Sequence, residues 1–412
     1  MDRLLERFLR YVQIDTTAND QTDEYPSSAG QWDLGRMLAD ELHGLGLADV
    51  QITERGLVIA TLPGNRPQPT PVMALNSHLD TSPETSGRDV RPQVIRDYAG
   101  GDIVLPGNPQ QVIRVEENPE LNSVLGKTLI TSDGNTLLGG DDKAGLAIIM
   151  EVVARVSADP SIPHGDLRIL FTCDEEIGRG VDYVDLAQLG ADVCYTLDGP
   201  AAGHLDVETF SADLATVHFQ GVNIHPSMGK DRMVNAIRVA AAFIDRLPRS
   251  ELSPETTSDR EGFLHPYTLE GGVADAKLKV LLRDFDTPRL AEHAQRLQQI
   301  ADEVRPEFPG CDIQITVTQQ YRNLGDGLAK EPRAVALAEL AHHRLGLACQ
   351  QSIIRGGTDG SRLTELGLPT PNLSSGQHNP HSPLEWACLE EMEQAVEVVI
   401  ELMKLWGAQA KT

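Results

Sequence analysis

The sequence predicts an α/β fold: a mixed, largely parallel sheet flanked by helices, with a smaller α+β domain inserted into it. Three observations carry that reading. Apolar runs of strand length alternate with segments of helical period, the pattern of a sheet built from strand and helix units. Several of those runs end on histidine or paired carboxylates, and open α/β sheets bind ligands outside the carboxyl ends of their strands. The alternation gives way near residue 207 to a half-exposed strand pattern and returns after about residue 325. At 412 residues the chain is long for one core, so two domains are expected.

The elements follow in order. Leu4, Leu5, Phe8, Leu9 and Val12 have helical spacing and predict a helix over 2–13. Trp32, Met37, Leu38, Leu42 and Leu45 predict a second within 28–46, closed by Gly46. Short β patterns at 50–53 and 57–62 precede the apolar run Val72-Met73-Ala74-Leu75, a buried strand leading into Asn76-Ser77-His78-Leu79-Asp80-Thr81. Residues 82–127 are rich in Pro, Gly, Asn and Asp and read as an irregular excursion with a few short strands. Leu129–Thr131 and Thr136–Leu138 flank Ser132-Asp133-Gly134-Asn135, a hairpin signal with an Asp-Gly turn. That run enters Gly139-Gly140-Asp141-Asp142-Lys143-Ala144-Gly145 and a helix over 146–156, placing both aspartates at a helix N-terminus. A strand over 167–172 ends on Cys173-Asp174-Glu175-Glu176, and one over 193–197 ends on Asp198-Gly199.

Residues 212–222 then alternate, 233–247 are helical, 248–262 are polar, and strand patterns recur near 265–271 and 275–286. A helix over 288–304 and a strand over 312–318 complete a compact inserted domain, one helical layer on one antiparallel sheet, at 207–323. The first domain, begun at 1–206, resumes at 324–412. It continues with a helix at 332–345, a strand at 351–354, a Gly-rich turn, a strand at 371–373 and a helix at 389–406.

The formal charge is −26, from 35 basic and 61 acidic residues, which argues against nucleic acid and anionic membrane surfaces as partners. The N-terminus lacks the apolar core of a signal peptide, and no run approaches the length of a membrane span. Cys173, Cys194, Cys311, Cys349 and Cys388 are scattered without a CxxC, which fits reduced thiols in a cytoplasmic protein.

Five clusters carry chemistry: His78-x-Asp80, Asp141-Asp142, Glu175-Glu176, Asp198, and His381 within His378-Asn379-Pro380-His381-Ser382-Pro383-Leu384-Glu385. Carboxylates gathered in one cleft raise one another's pKa unless a cation joins them. Imidazole with carboxylate and no thiolate is a ligand set for zinc, and also for manganese or cobalt. A two-metal site needs a bridging carboxylate and a bridging water. Glu-Glu offers one carboxylate for a metal and a neighbour free to act as base.

These motifs, in this order, resemble the co-catalytic zinc exopeptidases, a family that includes glutamate carboxypeptidase, acetylornithine deacetylase and succinyl-diaminopimelate desuccinylase. Ser77-His78-Leu79-Asp80-Thr81-Ser82-Pro83, Thr136 to Gly145, Ile354-Arg355-Gly356-Gly357-Thr358-Asp359-Gly360 and the opening Met1 to Leu9 look closest to its tripeptide aminopeptidase branch. The resemblance runs nearly end to end. It implies a metal-dependent aminopeptidase with two zinc ions, replaceable by cobalt or manganese, acting on short peptides, with a homodimer as a further family trait.

Carried over by position, it implies His78 and Asp198 on one metal, Glu176 and His381 on the other, and Asp141 bridging. Glu175 becomes the general base that activates the bridging water, and Asp80 orients His78. The Asp141–Asp142 peptide is expected to be cis. His225 matches the histidine that stabilises the tetrahedral oxyanion, and Asn235, Arg283 and Arg355 match positions that hold substrate polar groups, an arginine fork suiting a peptide carboxylate. The inserted domain is then a lid or dimerisation element. Gly139-Gly140 stands where Gly-Ala is usual. His378 competes with His381; the turn His-Ser-Pro-x-Glu favours His381, with Glu385 as support.

Plainer readings stand beside these. Asp80 can be a turn cap, Asp142 structural, Lys143 a partner for a nearby carboxylate, Asp174 a solvated turn residue, and His225 part of a surface turn. Arg283 can pair with Asp284 or Asp286, and Cys173 and Cys194 read as buried filler. The alternative activities are an N-acyl amino acid deacylase, a dipeptidase or a carboxypeptidase of the same fold. The non-enzyme alternative is a metal-binding, peptide-binding homologue.

Overall fold

The computed structural model describes residues 2–411. The chain divides into two compact units, one of residues 2–207, 327–352 and 358–411, the other Glu208–Asp326 with Ile353–Gly357.

The first unit is built on an 11-stranded sheet. At its centre Leu167–Thr172, Met73–His78, Val193–Pro200 and Asn372–His378 lie side by side and parallel. Met73–His78 is buried along its whole length, the consequence of cover on both faces, which is why its first half reads as an unbroken apolar run while Asn76, Ser77 and His78 are buried polar residues. Parallel pairing runs through these four central strands, and Gln350–Ile354 pairs with His204–Thr209 beside them. Ala48–Ile52 and Val58–Leu62 on one side, and Trp386–Cys388, Leu129–Thr131 and Gln93–Ile95 on the other, pair antiparallel.

Helix Gly140–Ala158 packs on the central strands and against helices Asp2–Val12 and Leu389–Trp406. It is buried on nearly every side, so apart from Glu151 and Arg155 its body from Ala144 to Val156 carries small or apolar residues. Its approach to the sheet is close: a Cβ on Gly145 would stand 2.3 Å from the carbonyl oxygen of Leu197. Among the described residues no helix is long and apolar enough to cross a membrane.

Three local expectations are corrected. Leu129–Thr131 does not turn back on 136–138; it pairs with Trp386–Cys388 and Gln93–Ile95. The backbone N–H groups of Leu138 and Gly139 donate instead to Glu385, and the Asp133 carboxylate closes a local turn with Asn135 N–H. The Gly-rich turn after Arg355 continues into a short helix, Asp359–Glu365, begun by a capping box between Thr358 and Ser361. The strand expected over 371–373 extends to His378.

In the second unit four antiparallel strands run in the order Phe263–Gly271, Asp275–Asp284, Ser211–Gln220, Asp312–Tyr321. Inward side chains such as Val217, Phe219, Leu278 and Val280 form a core with Val239 and Phe243 of helix Ala236–Asp245 and Leu297 and Ile300 of helix Arg289–Val304. Segment Ile353–Gly357 groups with this unit. Its Arg355 donates to the carbonyl oxygens of Thr257, Asp259 and Glu261 and lies over Phe210 and Phe263.

Candidate metal centre

The four central strands point their carboxyl ends the same way, so the loops that leave them share one edge of the sheet. His78 is the last residue of its strand, and Glu175 and Glu176 follow Leu167–Thr172 after two residues. Asp198 lies near the end of Val193–Pro200, and His381 follows Asn372–His378 after two residues. Asp141 enters from the head of helix Gly140–Ala158, where it and Asp142 carry non-helical backbone angles around a cis peptide bond.

Two ligand groups result. Side-chain atoms of His78, Asp141 and Asp198 lie within 4.8 Å of one another, and so do those of Asp141, Glu176 and His381. Asp141 belongs to both. Its Oδ1 is 2.9 Å from His78 Nε2, while Oδ2 is 3.3 Å from His381 Nε2. His78 Nε2 is 3.9 Å from Asp198 Oδ1, and His381 Nε2 is 2.9 Å from Glu176 Oε2.

The electrostatics are those of a site built around cations. Burial pushes Glu176 up to about 7, with Asp141 adding to the rise, and burial together with Asp141 and Asp142 holds Asp198 well above the usual carboxylate range. Burial alone would lower both histidines, but Asp141 and Asp80 hold His78 well above its ordinary value, and Asp141 and Glu176 raise His381 to about 11. Glu176 Oε1 is buried with no hydrogen-bond partner in the protein, a cost of about 1–3 kcal/mol that a ligand would remove. Two imidazoles and three carboxylates, one shared, fit a pair of divalent cations.

Asp80, fully buried, accepts the backbone N–H groups of Glu175 and Glu176, each at 3.0 Å, and its carbonyl oxygen lies 3.1 Å from His78 Nδ1. It therefore fixes the His78 ring and the Glu-Glu turn at once. Glu175 has no hydrogen bond to its carboxylate among the described contacts. Burial raises its pKa well above the usual range, with Asp359, Glu176 and Asp80 reinforcing the rise.

The competition between the two histidines has a geometric answer. His378 is buried, stacks on Trp386 with centroids 3.6 Å apart, and places Nε2 2.8 Å from Glu391. His381 faces the carboxylates, with Nδ1 3.3 Å from Glu84. Glu385 accepts from the N–H groups of Leu138, Gly139 and Asp141 and so holds the segment that delivers Asp141. Asp142 is buried and accepts the His78 N–H. Lys143 is buried too; burial lowers it to about 8, and it donates to the carbonyl of Ile14.

Two residues were misread or passed over. Asp174 is not a solvated turn residue: it is fully buried and receives hydrogen bonds from Ser27 and Gln31. Asp359 is buried, accepts the Thr172 hydroxyl at 2.5 Å, and leaves no room for a Cβ on Gly180. No local pattern marks either, because their partners are more than 140 residues away in sequence.

The remaining positions lie in the second unit. His225 has an exposed ring whose Nδ1 sits 2.7 Å from Ser227 Oγ. Asn235 caps helix Ala236–Asp245 by accepting Ile237 N–H. Arg283 is buried, donates to Gln320 at 2.8 Å and lies over Tyr321, while Asp284 pairs with His293 and Arg289. Arg355 is occupied by the loop 257–261 as described above.

Fold and site together mark an α/β protein arranged to hold paired divalent cations at the carboxyl edge of a parallel sheet, an arrangement suited to metal-dependent hydrolysis. Residues 132–405 match the model of peptidase family M20/M25/M40, and the chain belongs to that family. It is 41% identical over 403 residues to Peptidase T of Geobacillus thermodenitrificans strain NG80-2, covering 98% of each chain. It is 42% identical over 412 residues to Peptidase T of Serratia proteamaculans strain 568, covering all of both. Among solved structures, a tripeptidase from Staphylococcus aureus subsp. aureus mu50 superposes with a TM-score of 0.76 at 26% identity, over 99% of each chain. The aminopeptidase PepT from Bacillus cereus ATCC 10987 gives the same TM-score at 23% identity and shares the fold.

Proposed function

We propose that this protein is a metal-dependent aminopeptidase that hydrolyses the N-terminal peptide bond of tripeptides. The observation that carries the reading is the Asp141 carboxylate, whose two oxygens face two separate ligand groups beside an unencumbered Glu175. Full-length similarity to proteins called Peptidase T supports the substrate class.

His78 and Asp198 would hold one cation, Glu176 and His381 the other, with Asp141 reaching both. When bound, such a pair supplies Lewis acidity and lowers the pKa of a water lying between them. Glu175 accepts the proton of the attacking water and returns it to the departing amine nitrogen. Its raised pKa suits a group that must both take and give a proton near neutral pH. Asp80 keeps the His78 tautomer and the Glu175 backbone in place. By the family resemblance His225 would serve the oxyanion and Asn235, Arg283 and Arg355 the polar groups of the peptide, which requires Arg283 to release Gln320 and Arg355 to release the 257–261 loop before either forms a fork to a carboxylate. Zinc is the metal this ligand set suits, with cobalt or manganese as substitutes. The protein would act in the cytoplasm on short peptides, without nucleic acid or membrane as partner, and a homodimer is what the family resemblance implies.

The test is hydrolysis of one tripeptide, its N-acetylated form and the matching dipeptide by metal-loaded wild type and Glu175→Ala. Release of the first residue from the free tripeptide alone, reduced at least 100-fold or so in the variant at equal metal content, is expected. Preference for the acetylated peptide would move the protein to the deacylase or carboxypeptidase branch.

A further inference from the structure

The turn that carries Glu175 and Glu176 is gripped from below by a segment of the chain about 150 residues earlier. Asp174 is the centre of that grip. It is fully buried and has φ +62, a left-handed conformation that a non-glycine residue holds only with support. Its Oδ2 accepts Ser27 N–H at 2.8 Å, and its Oδ1 accepts Ser27 Oγ–H at 2.5 Å and Gln31 Nε2–H at 2.7 Å. Gln31 also takes a bond in return, its Oε1 accepting Asp174 N–H at 3.1 Å. Ser27 and Gln31 are themselves buried.

The same segment reaches the far foot of the turn. The Tyr25 hydroxyl lies 3.1 Å from the carbonyl oxygen of Cys173 and 3.4 Å from that of Gly180. Arg179 donates to the carbonyl oxygens of Thr22 and Asp23, each at 3.3 Å, and its guanidinium sits over the Tyr25 ring. Both feet of the turn are thus tied to residues 22–31, while Asp80 takes the two N–H groups at its crown. The Glu175 side chain is what the arrangement leaves free.

We infer that Ser27 and Gln31 are positioning residues for Glu175, acting through Asp174, and that residues 22–31 form a clasp that fixes where the base points. Neither side chain is hydrogen-bonded to a residue of the two ligand groups. The inference rests on the proposed role of Glu175. A base must sit within hydrogen-bond reach of the proton it takes, and a misplacement of about 1 Å is enough to cost about 100-fold in rate. The Glu176 carboxylate, in the same turn, has a further hold on His381 that the Glu175 carboxylate lacks, so loosening the feet should cost turnover before it costs metal.

The experiment is steady-state tripeptide hydrolysis by metal-loaded wild type, Ser27→Ala, Gln31→Met and Ser27→Thr, and by the first two combined with Glu175→Gln, with metal content measured for each. Ser27→Ala and Gln31→Met are expected to lower kcat by about 10- to 100-fold with KM within about twofold and metal content unchanged. Ser27→Thr, which keeps the hydroxyl, should recover most of the rate. In the Glu175→Gln background the same substitutions should remove nothing further, because the group they position is already gone. Wild-type kcat in both single variants, or equal fold losses in both backgrounds, would overturn the clasp while leaving Glu175 as the base. Full activity in Glu175→Gln alone would overturn the base assignment, and the clasp with it.

Discussion

At the scale of single residues, the site depends on side chains that touch no metal ligand atom. Glu385 is the clearest case. It is buried, and its two oxygens accept three backbone N–H groups, those of Leu138, Gly139 and Asp141, at 2.7, 2.8 and 3.1 Å. Burial pushes its pKa up to about 7, and these three bonds oppose the rise. Replacing it by glutamine keeps the volume but turns one acceptor oxygen into an NH2, so at least one N–H loses its partner and faces another donor. Asp141, shared by both ligand groups, would no longer be held in one place. Glu385→Gln is expected to weaken metal binding by about 10- to 100-fold, read as a shift in chelator competition at fixed pH. Wild-type affinity in that variant would show that the backbone at 138–141 holds Asp141 without it.

At the scale of elements, much was legible. The final helix, Leu389–Trp406, and the strand–helix–strand–strand–helix–strand order of the second unit follow directly from hydrophobic period. The residues of the two candidate ligand groups were legible because all but Asp141 lie at, near or just past the ends of strands. What escaped was decided by distant partners. The hairpin expected at 129–138 fails because Glu385, about 250 residues on, takes the N–H groups a second strand would need. Asp174 looked solvated because nothing near it in sequence shows that Ser27 and Gln31 will cover it.

Glu151 is a further instance at this scale, for it joins two helices. It is buried in helix Gly140–Ala158 and accepts Arg3 and Arg7 of helix Asp2–Val12, with Arg155 on its own helix. Burial alone would raise its pKa, but the bonds from Arg3 and Arg155 outweigh it and hold the carboxyl below its ordinary value. A depressed folded-state pKa contributes stability above the unfolded value, near 4.3, that is lost as pH falls through the folded value. Glu151→Gln leaves the buried Arg7 with Glu41 as its one carboxylate partner among the described residues and should cost about 1–3 kcal/mol at pH 7. Urea unfolding at pH 7 and pH 3 checks it: the gap between variant and wild type should narrow at the lower pH. A constant gap would mean that packing, not charge, joins the helices.

At the scale of the whole molecule, the excess of acid over base, −26 overall, is most concentrated in consequence where Asp141, Glu176 and Asp198 converge. Without a cation these groups cannot all be ionised, which is why burial holds Glu176 near 7 and Asp198 well above its ordinary value. A carboxyl whose folded-state pKa is raised binds a proton that the unfolded chain releases, so its contribution to stability declines as pH rises from about 4 through the folded value. His381, raised to about 11 by Asp141 and Glu176 against the opposing effect of burial, loses its contribution in the same direction as pH rises toward that value. Divalent cations replace those protons, and their affinity rises as the ligands deprotonate. Removing metal should therefore lower Tm by about 5–10 °C near neutral pH, and the gap between metal-loaded and chelated protein should be wider at pH 8 than at pH 5.5. Calorimetry with and without chelator at the two pH values reads both quantities. A gap that is absent, or that narrows as pH rises, would mean that the two ligand groups do not hold cations in the folded protein.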